Sequence, residues 1–397
     1  MKILGLTVRS EFDSRGEETI AVSVVDGEKH VSEAFVPAGK SRGSGEASVF
    51  SLIDAKRSVT ALQQSLTGKS FQSISEFDSV LLGVDGTQDK NILGGNVMLG
   101  LSTAVARAIA TTEKRELWEL MRSEFFPHVQ AVRPKVYANF INGGAHADNG
   151  LAIQEYHIVG SPMTSYEDLT IELVRFYRAL GLVLATQPGP VPIGDESGYA
   201  TQFSDSLRPL SVLTQLLAEA GSERFTLAID AAASSFFRDG VYEVDGDQLS
   251  TNALAELYGR FLTTAPLLKS IEDPFAEHDA DGFRVLRDRR PDLQVVGDDL
   301  TVTNAAKIET FAASGCINAV IIKPNQVGTV SEACQAIVAA RRHKVQVIVS
   351  HRSGETEDPF IISLAKACAA DGVKIGAPMH ERISKYNELI RLFDGLT

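Results

Sequence analysis

The chain has 397 residues, 44% of them hydrophobic and 22% charged; the length suits two to three domains and the composition excludes a disordered chain. Lys and Arg number 38 against 51 Asp and Glu, a net charge of −13 with no basic run, so neither a nucleic-acid nor a membrane partner is expected. Three scattered cysteines (Cys316, Cys334, Cys368), no signal-peptide core after Met1 and no apolar stretch near the about 18 residues of a membrane span predict a cytoplasmic protein.

In chain order, residues 2–10, 18–25 and 29–36 read as short strands separated by polar turns. A glycine-rich loop, Pro37-Ala38-Gly39-Lys40-Ser41-Arg42-Gly43-Ser44-Gly45, comes next, and helical spacing runs over 46–66 and 95–123. Strands followed by helices predict a small α+β domain over 1–125. From 134 to 397 the rhythm changes. The runs 225–230, 268–273, 293–299, 319–323, 345–351 and 373–376 are apolar without clean alternation, as buried parallel strands are, and most lead into helical patterns. Two earlier runs, 135–141 and 151–159, have no helix between them and about two helices after them. The predicted fold is α/β: a (β/α)8 TIM-like barrel that opens as ββαα before six βα units, capped by the N-terminal α+β domain.

The chemistry sits where these strands end. Asp230, Glu272 with Asp273, Asp298 with Asp299, Lys323, His351 with Arg352, and Lys374 all fall there, and in a barrel such ends share one mouth. One Asp at a strand end is usually a helix cap or turn former. Three on nearby strands, followed by Lys, His-Arg and Lys, are hard to explain as caps. Carboxylates gathered in a partly dry mouth repel, and an oxygen-only donor set favours Mg²⁺ as the neutralising cation. Lys323 amid other cations is expected to have a lowered pKa, as a general base needs.

At this point the residues resemble the enolase family over almost the whole chain. The carriers are Asp13-Ser14-Arg15-Gly16, Asn142-Gly143-Gly144-Ala145-His146-Ala147-Asp148-Asn149, Ile153-Gln154-Glu155 and Gly194-Asp195-Glu196. Ser270-Ile271-Glu272-Asp273-Pro274, Gly297-Asp298-Asp299-Leu300, Ile322-Lys323-Pro324-Asn325-Gln326 and Ser350-His351-Arg352-Ser353-Gly354-Glu355-Thr356 match almost letter for letter. A lysine base facing Mg²⁺ is the known design of enolase-superfamily sites, so it carries no independent weight. The resemblance implies a lyase that takes a proton alpha to a carboxylate and eliminates water from 2-phosphoglycerate or a related phospho-acid. Asp230, Glu272 and Asp298 would bind one Mg²⁺, and Ser41 a second with the substrate phosphate. Lys323 would be the base, and Glu196 the acid with Glu155 beside it. His146 and His351 would close over the substrate, Lys374 would pair with its carboxylate, and Arg352 and Ser353 would hold its phosphate. A small anionic substrate and a homodimer or higher homo-oligomer are implied too. An acid of raised pKa is expected at Glu196.

Departures from the family pattern cluster near the substrate. The family's PSGASTG loop here carries Lys40 and Arg42, its GDEGG carries Ser197, its AASEF carries Ser235, and the segment Met379-His380-Glu381-Arg382 is one residue short. The sharper alternative is that Lys40 and Arg42 contact a second anion, as in a carboxyphosphonoenolpyruvate synthase-like enzyme of phosphonate natural-product biosynthesis. A non-catalytic binding protein that kept the fold is the alternative of a different class. Asp13-Ser14-Arg15 reads by default as an exposed ion pair, with a dimer contact as the alternative.

Overall fold

In the computed structural model, residues 1–40, 43–186, 189–221 and 224–395 are described. The N-terminal region is an antiparallel meander, β1 (Ile3–Phe12), β2 (Glu18–Asp26) and β3 (Val31–Phe35), backed by α1 (Leu52–Leu66), α2 (Ile74–Asp85), α3 (Gly95–Thr112) and α4 (Leu117–Phe125). Helix α3 is almost wholly buried and lies against β2. A Cβ on Gly100 would stand 2.5 Å from Val22 Cγ2, so glycine sets that approach. Two expectations shift. The stretch 46–66 becomes helical only at Leu52, where Ser51 accepts from Asp54 N. The stretch 95–123 breaks between α3 and α4, where Lys114 turns to φ 54°. Helix α2 was not predicted, although Ile74, Phe77 and Leu81 share its buried face and Ser73 caps it.

The barrel begins with β4 (Lys135–Asn142), β5 (Glu155–Gly160), α5 (Tyr166–Ala185) and α6 (Arg208–Glu219). It continues with β6 (Thr226–Asp230), a three-stranded insertion of β7 (Phe237–Arg238), β8 (Val241–Val244) and β9 (Asp247–Leu249), and α7 (Thr251–Thr264). The remaining units are β10 (Leu268–Glu272) with α8 (Ala280–Arg289), β11 (Gln294–Gly297) with α9 (Ala305–Ala313), and β12 (Ala319–Ile322) with α10 (Val330–Arg342). Then come β13 (Gln346–Ser350) with α11 (Phe360–Cys368), and β14 (Gly372–Lys374) with α12 (Ile383–Phe393). The sheet closes in the order β10-β11-β12-β13-β14-β4-β5-β6.

Strand β5 is antiparallel to both β4 and β6, and this explains the ββαα opening. A strand that descends from the mouth ends at the barrel floor. Helix α5 must then climb back and α6 descend before β6 can rise in parallel with the rest. The connection between the two helices, which carries Gly194-Asp195-Glu196, therefore lies at the mouth. It is pinned there by Tyr199, whose N donates to Phe140 O (2.9 Å) and whose O accepts from Asn142 N (2.9 Å). Below the mouth the barrel is plugged by Tyr137, Val159, Ala228, Val296, Ala319, Ile321 and Ile348.

The N-terminal region is fastened to the barrel by buried polar contacts. Arg107 on α3 donates to Asp358 through Nη1 (2.8 Å) and Nη2 (2.5 Å). Asp78 on α2 and Ser102 on α3 accept from the first amides of α10, Ser331 N (2.9 Å) and Val330 N (3.0 Å), and so cap that helix. Ser14 N donates to Glu355 O (2.7 Å), and Ser14 Oγ to Ser353 O (3.3 Å). The Asp13-Ser14-Arg15 segment, read from the sequence as an exposed ion pair or a dimer contact, thus rests on this chain's own barrel beside the pocket.

Candidate active site

At the barrel mouth one pocket is lined by Gly39, Glu46, His146, Gln154, Glu155, Glu196, Asp230, Asp273, Asp298, Asp299, Lys323, His351, Arg352, Ser353 and Lys374. Parallel strands deliver their last residues: Asp230 from β6 and Glu272 from β10, which are register partners, and Asp298 just beyond β11. The inverted β5 delivers its first residue, Glu155, opposite Asp230. The structure therefore gathers the described residues expected from the sequence, apart from the outward-turned Lys40. Ser41 and Arg42 lie outside the described residues.

The charges fall into two walls. On the first, Lys374 Nζ stands 3.0 Å from Asp230 Oδ2, 2.9 Å from both Glu272 oxygens and 3.0 Å from Glu155 Oε2. Lys323 Nζ is bonded to Asp298. Burial, then Asp230, pushes Glu272 well above the usual carboxylate range. Burial pulls Lys374 down, but Asp230, Glu155 and Glu272 outweigh it and hold the ammonium charged. Lys323 corrects the expectation of a lowered pKa. Burial does lower it, as do Arg352 and Lys374, but contact with Asp298 outweighs them and its pKa is raised.

The tightest carboxylate trio is not the expected one. Oxygens of Asp273, Asp298 and Asp299 lie within 4.8 Å of one another, whereas Asp230 and Glu272 share Lys374. Asp273, at φ 40°, accepts from Asp298 N (2.9 Å) and Asp299 N (2.7 Å) and so aims the end of β11. Burial, then Asp298, pushes Asp299 up to about 7. A divalent cation fits this wall: its donors are hard carboxylate oxygens, several of them unfavourable as buried anions, and an ammonium already answers two of them.

The second wall uses imidazoles. Glu196 Oε2 is 3.1 Å from His351 Nε2 and accepts from Asn139 Nδ2 at 3.2 Å. His146 Nδ1 faces Glu155 Oε1 at 3.5 Å and Glu196 Oε1 at 3.9 Å. Here too an expectation is reversed. Burial favours neutral Glu196, but His351, His146 and Lys374 outweigh it and hold the carboxyl well below its ordinary value. Burial lowers His351 in turn, against the pull of Glu196, so at neutral pH the pair carries one negative charge. Burial and Glu196 act to raise Glu155, yet Lys374 and His157 hold it down at about 2.

A strap from the N-terminal region covers the pocket. Ala38 and Gly354 exchange backbone hydrogen bonds (2.8 and 2.9 Å), and Lys40 N donates to Ser353 Oγ (2.8 Å). Gly39 passes so close to Arg352 that a Cβ would lie 1.8 Å from Nη2. Lys40 Nζ turns outward to Asp195 Oδ2 (2.8 Å). Ser197 adopts φ 65°, a conformation suited to the glycine it replaces, with its Oγ 3.1 Å from His380 Nδ1. Ser235 lies in an adjoining open groove with Arg238 and Asp245, away from this pocket.

Several residues here escaped the sequence reading. Glu46 accepts from Arg352 Nη1 (3.0 Å), and Asn325 Oδ1 accepts from the same nitrogen (2.9 Å). Arg382, fully buried, donates to the backbone oxygens of Arg352 (3.0 Å), Ser353 (2.7 Å) and Asp195 (3.1 Å), strutting the 352–353 segment against the 194–198 turn. Gln154 lines the pocket with an Oε1 that has no hydrogen-bond partner among the described residues. Gln154 and Asn325 had a signal, their places in the motifs around Glu155 and Lys323, and Arg382 sits in the shortened segment after Lys374; Glu46 is a tertiary partner that no local pattern marks.

Comparison with known proteins shows which family the chain belongs to. The family model described as "Enolase, N-terminal domain" matches residues 3–121, and "Enolase, C-terminal TIM barrel domain" matches residues 130–397. The enolase of Methanosarcina barkeri is 38% identical over 416 residues, covering all of this chain and 95% of that protein. Enolase of Nitratiruptor sp. is 35% identical over 405 residues, 98% of this chain and 95% of its own. For Methanopyrus kandleri enolase the figures are 36% over 417 residues, 100% and 96%.

Proposed function

Because the chain belongs to the enolase family, we propose that this enolase-type lyase is Mg²⁺-dependent and removes water from 2-phosphoglycerate to give phosphoenolpyruvate. One observation carries the reading: a single pocket holds an amine (Lys323), a carboxyl between imidazoles (Glu196) and the acidic wall of Asp230 and Asp298.

Lys323 Nζ takes the proton alpha to the substrate carboxylate, and the C–H electron pair moves toward that carboxylate, creating a dianion. Mg²⁺ held by Asp230, Glu272 and Asp298, with a second ion beside Ser41, would supply the positive charge that stabilises it. Were Asp298 engaged by that cation, Lys323 would lose the anion that keeps it charged, and burial, Arg352 and Lys374 would favour the neutral amine a base needs. Glu196, which takes up a proton once the anionic substrate adds negative charge to the pocket and draws Lys374 to its own carboxylate, delivers that proton to the departing hydroxyl; the C–O bond breaks, the C=C bond forms and water leaves. Glu155 stands beside the acid. Lys374 is the cation nearest the substrate carboxylate. Arg352 and Ser353 receive the phosphate, and Glu46 releases Arg352 as it arrives.

The phosphonate alternative loses support at Lys40, whose ammonium is taken by Asp195. The same reading includes a cytoplasmic location and assembly as a homodimer or larger homo-oligomer. Among the described residues no helix is long and apolar enough to cross a membrane.

The test is Mg²⁺-dependent formation of phosphoenolpyruvate from 2-phosphoglycerate. Lys323→Ala should lose about 10³-fold or more of kcat. Undiminished turnover by that variant, or none by the Mg²⁺-loaded wild type, overturns the reading. Phosphorus NMR on phosphonylated acids would then identify the substrate class.

A further inference from the structure

The inverted strand β5 places a second titratable side chain on the face that carries Glu155. His157, two residues on, is one layer down inside the barrel and 1% exposed. Its ring meets Tyr137 edge-on (centroids 6.4 Å, 82°) at the top of the apolar plug. Nε2 stands 2.7 Å from Glu155 Oε2, while Nδ1 has no hydrogen-bond partner among the described residues. Packing alone would not select a histidine here, because burying an imidazole nitrogen without a partner is unfavourable. An ionised carboxylate only accepts, so the proton belongs on Nε2.

We propose that His157 is a positioning residue: its Nε2–H pins Oε2 of Glu155 so that Oε1 faces His146 and Glu196. The inference rests on the reading above that Glu155 stands beside the acid. Geometry divides the two oxygens accordingly. Oε2 is held from below by His157 and from the side by Lys374 (3.0 Å); Oε1 is turned to His146 Nδ1 (3.5 Å), which also faces Glu196 Oε1 (3.9 Å). Lys374 also serves Asp230 and Glu272, so on its own it does not fix the Glu155 carboxylate. With both donors the carboxylate has one rotamer and one free oxygen, and a misplacement of about 1 Å at such a group can cost about 10²-fold.

The test compares His157→Leu with His157→Gln in the Mg²⁺-loaded protein. His157→Leu removes the donor without adding a buried polar group. Its kcat should fall about 10- to 100-fold while KM stays within about twofold and Tm does not fall. His157→Gln, which can still donate to Glu155, should recover most of kcat. Unchanged kcat in His157→Leu, or equal losses in both variants with lowered Tm, overturns the proposal. A second arm is independent of turnover: nitrogen NMR of histidine-labelled protein should show His157 as the Nε2–H tautomer, perturbed by Glu155→Gln. An Nδ1–H tautomer, or no response to that substitution, overturns it too. If the wild type fails to process 2-phosphoglycerate, the proposed function falls and this spectrum decides His157 separately.

Discussion

The two walls of the pocket solve the same electrostatic problem with different bases. On the wall built from β6, β10, β11 and β12, Asp230, Glu272 and Asp298 are answered by the ammonium groups of Lys374 and Lys323. On the wall built from β5 and the 194–198 turn, Glu196 is answered chiefly by His351 and His146, and Glu155 by His157 together with Lys374, which reaches across from the first wall. A lysine held in a carboxylate cluster keeps its charge, whereas an imidazole exchanges protons near neutral pH. In the proposed reaction the first wall would store positive charge or admit a cation, and the second would handle protons.

The largest expected effect tests the proton-handling wall. Glu196→Gln should lower kcat for water elimination about 10³-fold, yet leave hydrogen exchange between substrate and deuterated water close to wild type. Loss of both together would erase the distinction between the walls. Next comes Lys374→Met, which leaves three carboxylates without their shared ammonium. In metal-free protein it should cost about 3–5 kcal/mol of unfolding free energy in urea, and Mg²⁺ should restore part of it.

A subtler expectation concerns pH. Asp299 ordinarily titrates near 3.8 and is pushed up to about 7 in the fold. Between those values the folded state binds the extra proton. The stability this gives is full below pH about 4 and is lost as pH rises through about 7, at most about 1.4 kcal/mol per pH unit. Asp299→Asn should flatten that slope in metal-free protein, and so should Mg²⁺; a slope unchanged by either would locate the strain elsewhere. The smallest effect is expected at the strap. The Lys40 side chain is 46% exposed and that of Asp195 23%, so Lys40→Ala should change stability by less than about 1 kcal/mol and act mainly on KM.

Much of the first wall was legible in the sequence, because parallel barrel strands end in their functional residues and Asp230, Glu272, Asp298 and Lys323 each close an apolar run. The second wall was legible only through motifs. Glu155 begins its strand, and Glu196 sits between helices, so neither carries the strand-end mark. His157 reads as one more position in an apolar stretch. The pKa directions of Lys323 and Glu196 were misjudged because they depend on which neighbour is touched, Asp298 in one case and two histidines in the other. The β7–β9 insertion went unread, as two to four residues per strand are too few to show a period.

The reversed course of β5 has a consequence for how such a site can change. Because β4 rises and β5 falls, the segment 143–154 that joins them is a hairpin loop at the rim, and it brings His146 and Glu155 within ten positions of each other. Every other rim loop of the barrel is tied to a helix of the outer shell or, after β6, to the β7–β9 insertion. This one joins two strands directly and meets the neighbouring connection through Asn149 Nδ2, which donates to Thr201 O (3.1 Å), so its sequence can be rewritten, by evolution or by hand, to reshape the side of Glu155 and Glu196 while the side of Asp230 and Asp298 stays in place.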